Sequence, residues 1–374
     1  MKKVYLDNAS TTSVRPEVIQ EMTQILADDY GNPSSTHSFG RNAKNILELS
    51  RKSIAKAFNT SAQEIIFTSC GTEANTWILG SAVKDLKIKR IVTSKIEHHA
   101  VLFAVLALQK EFDIQVDYVA LKPNGEIDLT HLVSLLSKET HTLVSLMHVN
   151  NEIGSILDLD KVSRICQQHK ALFHTDTVQS IGKTNIDLQT VPIDFLVASA
   201  HKFHGPKGIG FAFVRKNSGL QPMFYGGDQE KGLRAGTEAV HQVAGMAKAL
   251  ALSYANLASE KNHILAIKKY AINRLEAEFP DYKINGTHDS FYTILNVMLP
   301  FSEEKTELIL FHLDMKGIAV SRGSACQSGS NKPSHVLAEI LPAEDLKKPS
   351  LRISFSYSST LDDIDALISG LKSV

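Results

Sequence analysis

Short apolar runs alternate with helix-length stretches through most of the first 240 residues. Runs rich in Val, Ile, Leu and Phe predict six strands, over residues 64–68, 90–93, 114–119, 142–147, 171–176 and 194–199. A seventh run, residues 209–214, predicts the antiparallel return of a hairpin. Strands that alternate with helices favour a mostly parallel α/β sheet with helices on both faces. The pattern therefore predicts a mostly parallel seven-stranded sheet.

The pattern changes after Thr237. An Ala- and Leu-rich stretch, residues 237–279, predicts two helices. After it, the sequence predicts a strand at residues 293–298, a helix at 303–316, a Gly/Ser-rich loop at 323–330, a second strand at 351–355 and a final helix. This arrangement predicts a smaller α+β domain.

Two domains follow from these two patterns. We expect a large, ligand-binding α/β domain over residues 14–255, and a small domain over residues 1–13 and 256–374 that carries the Gly/Ser-rich loop. A chain of 374 residues, 43% of them hydrophobic, is long enough for this division.

Composition and charge narrow the classes of function. Lys and Arg together number 40, as do Asp and Glu, so no overall field attracts nucleic acid or an anionic membrane, and we expect neither as a partner. The N-terminus does not resemble a secretory signal, and the apolar run at residues 100–108 is too short to span a bilayer. Three widely spaced cysteines without a CxxC pair argue against a disulfide scaffold. We therefore expect a cytoplasmic protein.

Four polar residues follow the ends of predicted strands, namely Thr72, His98, Asp176 and Lys202. Ligands of open α/β sheets bind at the carboxyl ends of the strands, so we expect these side chains to converge. A lysine amine attacks an aldehyde only when it is neutral, which requires a partly desolvated, electropositive pocket. Lys202 therefore indicates a covalently held aldehyde cofactor, and its alternative is a solvated loop lysine.

Asp176 and Thr72 suit the two ends of such a cofactor. A carboxylate at Asp176 can pair with the protonated nitrogen of a pyridine ring, as in pyridoxal 5′-phosphate (PLP). Its alternative is the N-cap of a helix starting near Val178. Gly71 and Thr72 open a helix whose free N–H groups can bind phosphate, and here the alternative is an ordinary N-cap.

Three further residues are candidates for the chemistry. His98 can stack on a cofactor ring and move protons; the alternative is a zinc site, but no carboxylate or cysteine stands at ligand spacing, so we expect no metal. Cys326 lies among small residues, where it can act as a nucleophile or be a solvent-exposed bystander. Arg352 begins an apolar strand, where it can bind a carboxylate or be an edge-strand charge.

Eight motifs spread over almost the whole chain together resemble the cysteine desulfurases of the class V aminotransferase family, which have the fold-type I architecture of PLP enzymes. The motifs are YLDNASTT at residues 5–12, GNPSS at 31–35, HSFG at 37–40, GTEAN at 71–75, HVNNEIG at 148–154, SAHK at 199–202, RAGTE at 234–238 and GSAC at 323–326. The resemblance implies that L-cysteine is converted to L-alanine while its sulfur is held as a persulfide on Cys326. Lys202 is then the lysine that binds PLP, and His98 stacks on the ring and moves protons.

The resemblance also assigns cofactor and substrate contacts. The implied phosphate ligands are Gly71, Thr72, Ser199 and His201. Asp176 is implied to pair with the pyridine nitrogen, Gln179 and Asn151 to contact the ring oxygen or the substrate side, and Arg352 with Asn151 to bind the substrate carboxylate. Thr237 is implied to reach the phosphate of a neighbouring subunit, which requires a homodimer.

The sulfur acceptor implied by the resemblance is an iron–sulfur scaffold protein or a tRNA-thiolation enzyme. Two rival functions share this scaffold: a selenocysteine lyase or other PLP lyase, and a catalytically silent partner protein. The presence of both Lys202 and Cys326 disfavours the silent partner.

Overall fold

Seven strands form one sheet in the first two thirds of the chain. The computed structural model describes residues 3–323 and 334–374. In sheet order the strands are β2 Ile65–Thr68, β8 Gly210–Val214, β7 Phe195–Ser199, β6 Leu172–Asp176, β5 Thr142–Ser145, β3 Arg90–Thr93 and β4 Gln115–Tyr118. Strand β8 is antiparallel to β2 and β7, and the other neighbouring pairs are parallel. The predicted mostly parallel seven-stranded sheet, with its hairpin return, is confirmed.

Burial on both faces explains why these strands appear as continuous apolar runs. In β7 all five side chains of the segment FLVAS are buried. A parallel strand is covered on both sides, so it has no polar face and no alternation of apolar with polar residues.

Helices cover both faces of this sheet. They are α1 Pro16–Asp28, α2 Ser38–Ala57, α3 Gly71–Lys84, α4 His99–Phe112, α5 Leu129–Leu136, α6 Leu159–Gln168 and α7 Val240–Ala255. Side chains of α1, α2, α5, α6 and α7 share one apolar core with Val144 and Leu196, whereas α3 and α4 pack with Leu143 and Val197. Consecutive residues of a strand point to opposite faces, so the two cores lie on opposite sides of the sheet.

The remaining elements form a smaller α+β unit, as predicted. Its strands are β1 Val4–Tyr5, β9 Lys283–Ile284, β10 Ile294–Met298, β11 Ile318–Ala319 and β12 Ser350–Ser354. Its helices are α8 Leu257–Glu278, α9 Glu303–Met315, α10 His335–Ala338, α11 Ala343–Leu346 and α12 Leu361–Lys372. Strand β10 pairs antiparallel with β9 and β12, and β1 pairs parallel with β11. Across the described part of the chain, no helix has the length and apolarity needed to cross a membrane.

The N-terminal segment joins the small unit to the large sheet. Asp7 forms a parallel bridge with Ser354 of β12. Five residues later, the amide of Thr12 donates to the carbonyl oxygen of His201 at 2.9 Å, directly after β7. Residues 7–12 therefore lie between the ends of the large sheet's strands and β12.

Candidate active site

A cavity of about 220 Å³ lies at the carboxyl ends of the parallel strands. It brings together ten of the twelve residues for which the sequence predicts a role, namely Gly71, Thr72, His98, Asn151, Asp176, Gln179, Ser199, His201, Lys202 and Arg352. Thr237 is not among the lining residues. The prediction for Cys326 lies outside the described residues.

Lys202 reaches the cavity from a single 3₁₀ turn, Ala200–Lys202, that follows β7. Its Nζ donates to the carbonyl oxygens of Ala9 at 2.6 Å and Ser10 at 2.8 Å. The side chain is half-buried in the wall of the cavity, so the alternative of a solvated loop lysine is wrong. Burial, and to a smaller extent the charge of Lys202, lowers the pKa of Lys183 to about 7.

Asp176 ends β6, and its buried carboxylate is held from two sides. Oδ2 accepts from Asn75 Nδ2 at 2.8 Å, and Oδ1 accepts from the amide of Val178 at 3.0 Å. The hydrogen bond from the Val178 amide is the local contact expected of an N-cap. It begins a turn, however, and no helix follows. Asn75 lies one turn into α3 and was not predicted as a site residue; its place in the GTEAN motif was the available signal.

The start of α3 lines one part of the cavity. Its N-cap residue, Cys70, makes no side-chain hydrogen bond to the helix, and first-turn N–H groups have no partner within a helix. These donors and the helix dipole favour a phosphate. A Cβ added at Gly71 would lie 2.8 Å from a methyl group of Val178, so only glycine allows this close approach.

Ser199 at the end of β7 and His201 in the following 3₁₀ turn also line the cavity. The His201 ring lies with Nδ1 3.1 Å from the Thr11 hydroxyl. Burial, reinforced by the charges of Lys202 and two other lysines, lowers the pKa of His201 to about 3. The imidazole is therefore neutral, and it contributes a hydrogen bond to the site without adding charge.

His98 is the N-cap of α4, and its Nδ1 accepts from the amide of Ala100 at 3.1 Å. Since Nδ1 accepts, the neutral ring carries its hydrogen on Nε2. Burial lowers the pKa of His98, while the charge of Asp176 opposes the shift. The zinc alternative has no support in residues 3–323 and 334–374, where no group of three or more His, Cys, Asp or Glu side chains could hold a metal ion.

Glu97, next to His98, is fully buried and was missed by the sequence reasoning. Its Oε1 accepts from the amide of Met147 at 2.7 Å, and its main-chain carbonyl accepts from His335 Nε2 at 2.9 Å. Burial, and to a smaller extent the charge of Asp176, raises the pKa of Glu97 well above its usual range. Glu97 therefore joins the loops that follow β3 and β5.

Arg352 faces inward from β12 and is only 1% exposed. Nη1 donates to the carbonyl oxygen of Asn151 at 2.9 Å, whereas Nη2 donates to Asp7 Oδ1 at 2.8 Å and to Ser10 Oγ at 2.6 Å. The alternative of a solvated edge-strand charge is therefore wrong, although β12 does lie at the edge of its sheet. Asp7 and Ser10 were not predicted as site residues.

Two buried polar atoms beside the cavity have no hydrogen-bond partner among the described residues. They are Gln179 Oε1 and Arg352 Nε. The other end of the Gln179 amide is used, since Nε2 donates to the carbonyl oxygen of Ala9 at 2.9 Å. Buried polar groups are rarely left unsatisfied, so these atoms indicate that the cavity holds a polar ligand.

Glu152 contacts the residues on both sides of the segment that contains Cys326. Its fully buried carboxylate accepts from the Ser334 hydroxyl. A Cβ added at Gly323 would lie 3.2 Å from Glu152 Oε2. The last described residue before that segment and the first one after it therefore meet at a single carboxylate, close to Asn151.

Thr237 lies in a separate groove that Thr68, Gly208 and Arg234 also line. Arg234 in turn pairs with Glu73 in the first turn of α3, with Nε 3.0 Å from Oε1. The chain therefore does not bring Thr237 to its own cavity, and a contact with a neighbouring subunit stays a prediction.

The donor set of the cavity fits PLP. The first turn of α3 suits the phosphate, the buried carboxylate of Asp176 suits a protonated ring nitrogen, and the amine of Lys202 suits the aldehyde. The unsatisfied Gln179 Oε1 and Arg352 Nε provide further polar contacts on the remaining sides.

Comparisons with known proteins show the family of this chain. The family model Aminotransferase class-V matches residues 4–367. Cysteine desulfurase IscS of Dictyoglomus turgidum is 38% identical over 375 residues, which cover 100% of this chain and 94% of that protein. A solved NifS-like protein superposes with a TM-score of 0.92 at 32% identity, covering 100% of this chain and 99% of that one. The structure of SspA in complex with cysteine has a TM-score of 0.81 at 28% identity, covering 96% and 100%.

Proposed function

The chain belongs to the class V aminotransferase family and is a PLP-dependent cysteine desulfurase, and we propose that it holds the sulfur of L-cysteine as a persulfide on Cys326. The observation that supports this proposal is the meeting of two binding sites in one cavity. Lys202, Asp176 and the start of α3 suit the cofactor, and Arg352 beside them suits a substrate carboxylate.

Bound PLP supplies an electron sink for the pair released at the substrate carbon. Gly71, Thr72, Ser199 and His201 would hold its phosphate, Asp176 its ring nitrogen and Lys202 its aldehyde. The two main-chain carbonyls that accept from Lys202 Nζ keep this amine directed into the cavity. Lys202 would accept the α-proton of the substrate at Nζ. The neutral His98 ring lines the cavity, where it would stack on the bound cofactor and exchange a proton through its Nε2.

Sulfur transfer needs a nucleophile and a fixed substrate. Arg352 and Asn151 bind the carboxylate of L-cysteine, which orients its sulfur. The Cys326 thiolate attacks that sulfur, so the substrate carbon–sulfur bond breaks and a sulfur–sulfur bond forms on Cys326. The β-carbon of the substrate keeps the electron pair of the broken bond and takes up a proton, and the α-carbon regains the proton held at Lys202 Nζ, which yields L-alanine.

The oligomeric state and the domain limits belong to the same proposal. Thr237 stands apart from the cavity of its own chain, so a homodimer gives it a role at the phosphate of the neighbouring subunit. A large domain over residues 14–255 and a small one over residues 1–13 and 256–374 agree with the packing of α7 on α1 and α2 and of α8 on α12.

The sulfur acceptor is an iron–sulfur scaffold protein or a tRNA-thiolation enzyme. The relatives that suggest this are named cysteine desulfurase IscS. The cytoplasm is the proposed location, because a reducing compartment keeps a transferring thiol available.

Cys326→Ala tests the persulfide step. We expect alanine formation from L-cysteine, with dithiothreitol as acceptor, to fall by at least about a hundredfold, because the nucleophile is lost. The visible absorbance of the bound cofactor should stay unchanged. Mass spectrometry of the wild type after one turnover without dithiothreitol should show one added sulfur on the peptide that contains Cys326.

Cys166→Ala is the matched control, since this buried thiol on α6 lies outside the cavity. It should retain activity and the added sulfur. Undiminished alanine formation by Cys326→Ala would show that another group accepts the sulfur and would refute the proposal.

A further inference from the structure

Asp7 gathers three hydrogen bonds on a single oxygen next to the cavity. Its Oδ1 accepts from Arg352 Nη2 at 2.8 Å, from the Ser10 hydroxyl at 2.8 Å and from the Ser321 hydroxyl at 2.9 Å. The guanidinium that suits the substrate carboxylate is therefore already paired with a carboxylate of the chain itself.

The backbone holds Asp7 in this position. Residue 7 bridges Ser354, whose amide donates to the carbonyl oxygen of Leu6 at 2.7 Å and whose hydroxyl accepts from the amide of Ala9 at 2.8 Å. Arg352 lies two residues away on the same strand, so both members of the ion pair are carried by paired backbone. The main chain therefore holds Asp7 beside Arg352.

The burial of the ion pair makes its charge important. The side chain of Arg352 is 1% exposed and that of Asp7 is 17% exposed. In such surroundings charges interact far more strongly than in water, and a cation without its partner is costly. A guanidinium that is already neutralised by Asp7 therefore attracts a second carboxylate less strongly than an unpaired one.

We propose that Asp7 is a positioning residue that orients Arg352 and limits its affinity for the carboxylates of substrate and product. The inference rests on the proposed role of Arg352 as the carboxylate-binding residue. It assigns Asp7 a function in turnover: the carboxylate of the substrate or product binds to Arg352 in the right place but remains able to leave.

Asp7→Asn in the holoenzyme tests this role, because asparagine keeps an acceptor oxygen and removes only the charge. Dissociation constants are measured by calorimetry for L-alanine and for L-alaninamide, which lacks the carboxylate. We expect L-alanine to bind about tenfold more tightly to the variant, since the buried cation then relies on the ligand for its counter-charge. L-alaninamide should bind as it does to the wild type, and KM for L-cysteine should fall.

Ser321→Ala is the matched control, since it removes one hydrogen bond to Asp7 but keeps the carboxylate. It should change L-alanine binding by less than about twofold, the effect of one neutral hydrogen bond acting indirectly. If Asp7→Asn does not bind the cofactor, Asp7→Ser makes the same change of charge and should again tighten L-alanine binding.

Two results would overturn the inference. One is unchanged or weaker L-alanine binding in the neutral variants, and the other is an equal change for L-alanine and L-alaninamide. Arg352→Gln separates this inference from the function on which it rests. If Arg352→Gln leaves L-alanine binding unaltered, the role of Arg352 itself is wrong; if it weakens binding while Asp7→Asn has no effect, only the role of Asp7 fails.

Discussion

The two walls of the cavity are built in different ways. The cofactor wall consists of Gly71, Thr72, His98, Asp176 and Lys202, all of which follow strands of one sheet. The proposed substrate wall consists of Ser10, Asn151 and Arg352, which come from the N-terminal segment, the loop after β5 and strand β12, and Asp7, which does not line the cavity, pairs with Arg352. Asp7 and Arg352 are 345 residues apart in the chain. The first wall depends on one sheet, whereas the second depends on how two units of the chain meet.

The walls also differ in electrostatics. The histidines of the cofactor side are neutral, because burial lowers the pKa of His98 and that of His201. The substrate wall instead holds a permanent ion pair between Asp7 and Arg352. A change in the first wall should therefore affect cofactor retention, and a change in the second should affect affinity for the substrate.

The largest effect is expected from Lys202→Ala. Loss of the amine should abolish the visible absorbance of the lysine-bound cofactor and lower alanine formation by at least about a thousandfold. Absorbance spectroscopy and a steady-state assay measure both. Lys207→Ala, which removes an exposed lysine from a later turn, should leave both unchanged. Retention of the absorbance by Lys202→Ala would assign the cofactor to another amine, with Lys183 as the first candidate.

Arg352→Gln should have a smaller and different effect. Hydrogen bonds to charged groups contribute about 1.5–3 kcal/mol, so KM for L-cysteine should rise about 10- to 100-fold. The visible absorbance should not change, because the cofactor wall is intact. Arg352→Lys keeps the charge and should recover part of the affinity. If Arg352→Gln lowers cofactor binding together with substrate affinity, the two walls do not act independently.

The smallest effect concerns stability in acid. Burial lowers the pKa of His148 to about 4, and Nδ1 lies 2.8 Å from the Ser180 hydroxyl. Between about pH 6.5 and 4 the unfolded chain binds a proton at His148 that the folded chain does not. The free energy of unfolding should therefore fall as pH drops through this window, by about 1 kcal/mol per pH unit for this histidine.

Urea unfolding of wild type and His148→Gln at several pH values measures this contribution. The variant should show a shallower dependence on pH between 6 and 4.5. Identical slopes would mean that His148 is protonated in the folded protein as well. The Asp7–Arg352 pair contains no histidine, so Asp7→Asn should leave the slope near pH 6 as it is in the wild type.

Residues of the cofactor wall were easier to predict from the sequence than residues of the substrate wall. Thr72, Asp176 and Lys202 could be placed in one cavity because strand ends of a parallel sheet meet at one edge. Asn75 and Glu97 were missed, although Asn75 stands in the GTEAN motif and Glu97 precedes His98, since their partners, Asp176 and Met147, belong to other elements. Nothing in the local pattern near Asp7 indicates which cation it faces.

The sequence by itself determined the order of strands and helices, the chemistry available at the strand ends and the family. These features depend on hydrophobic periodicity and on short motifs, both of which are set by residues that are neighbours in the sequence. Only the tertiary structure decided that Arg352 both pairs with Asp7 and lines the cavity. It also decided that Glu152 lies beside both Gly323 and Ser334. Such contacts depend on the packing of β1 and β12 and of distant loops, and they exist only once segments far apart in the chain have come together.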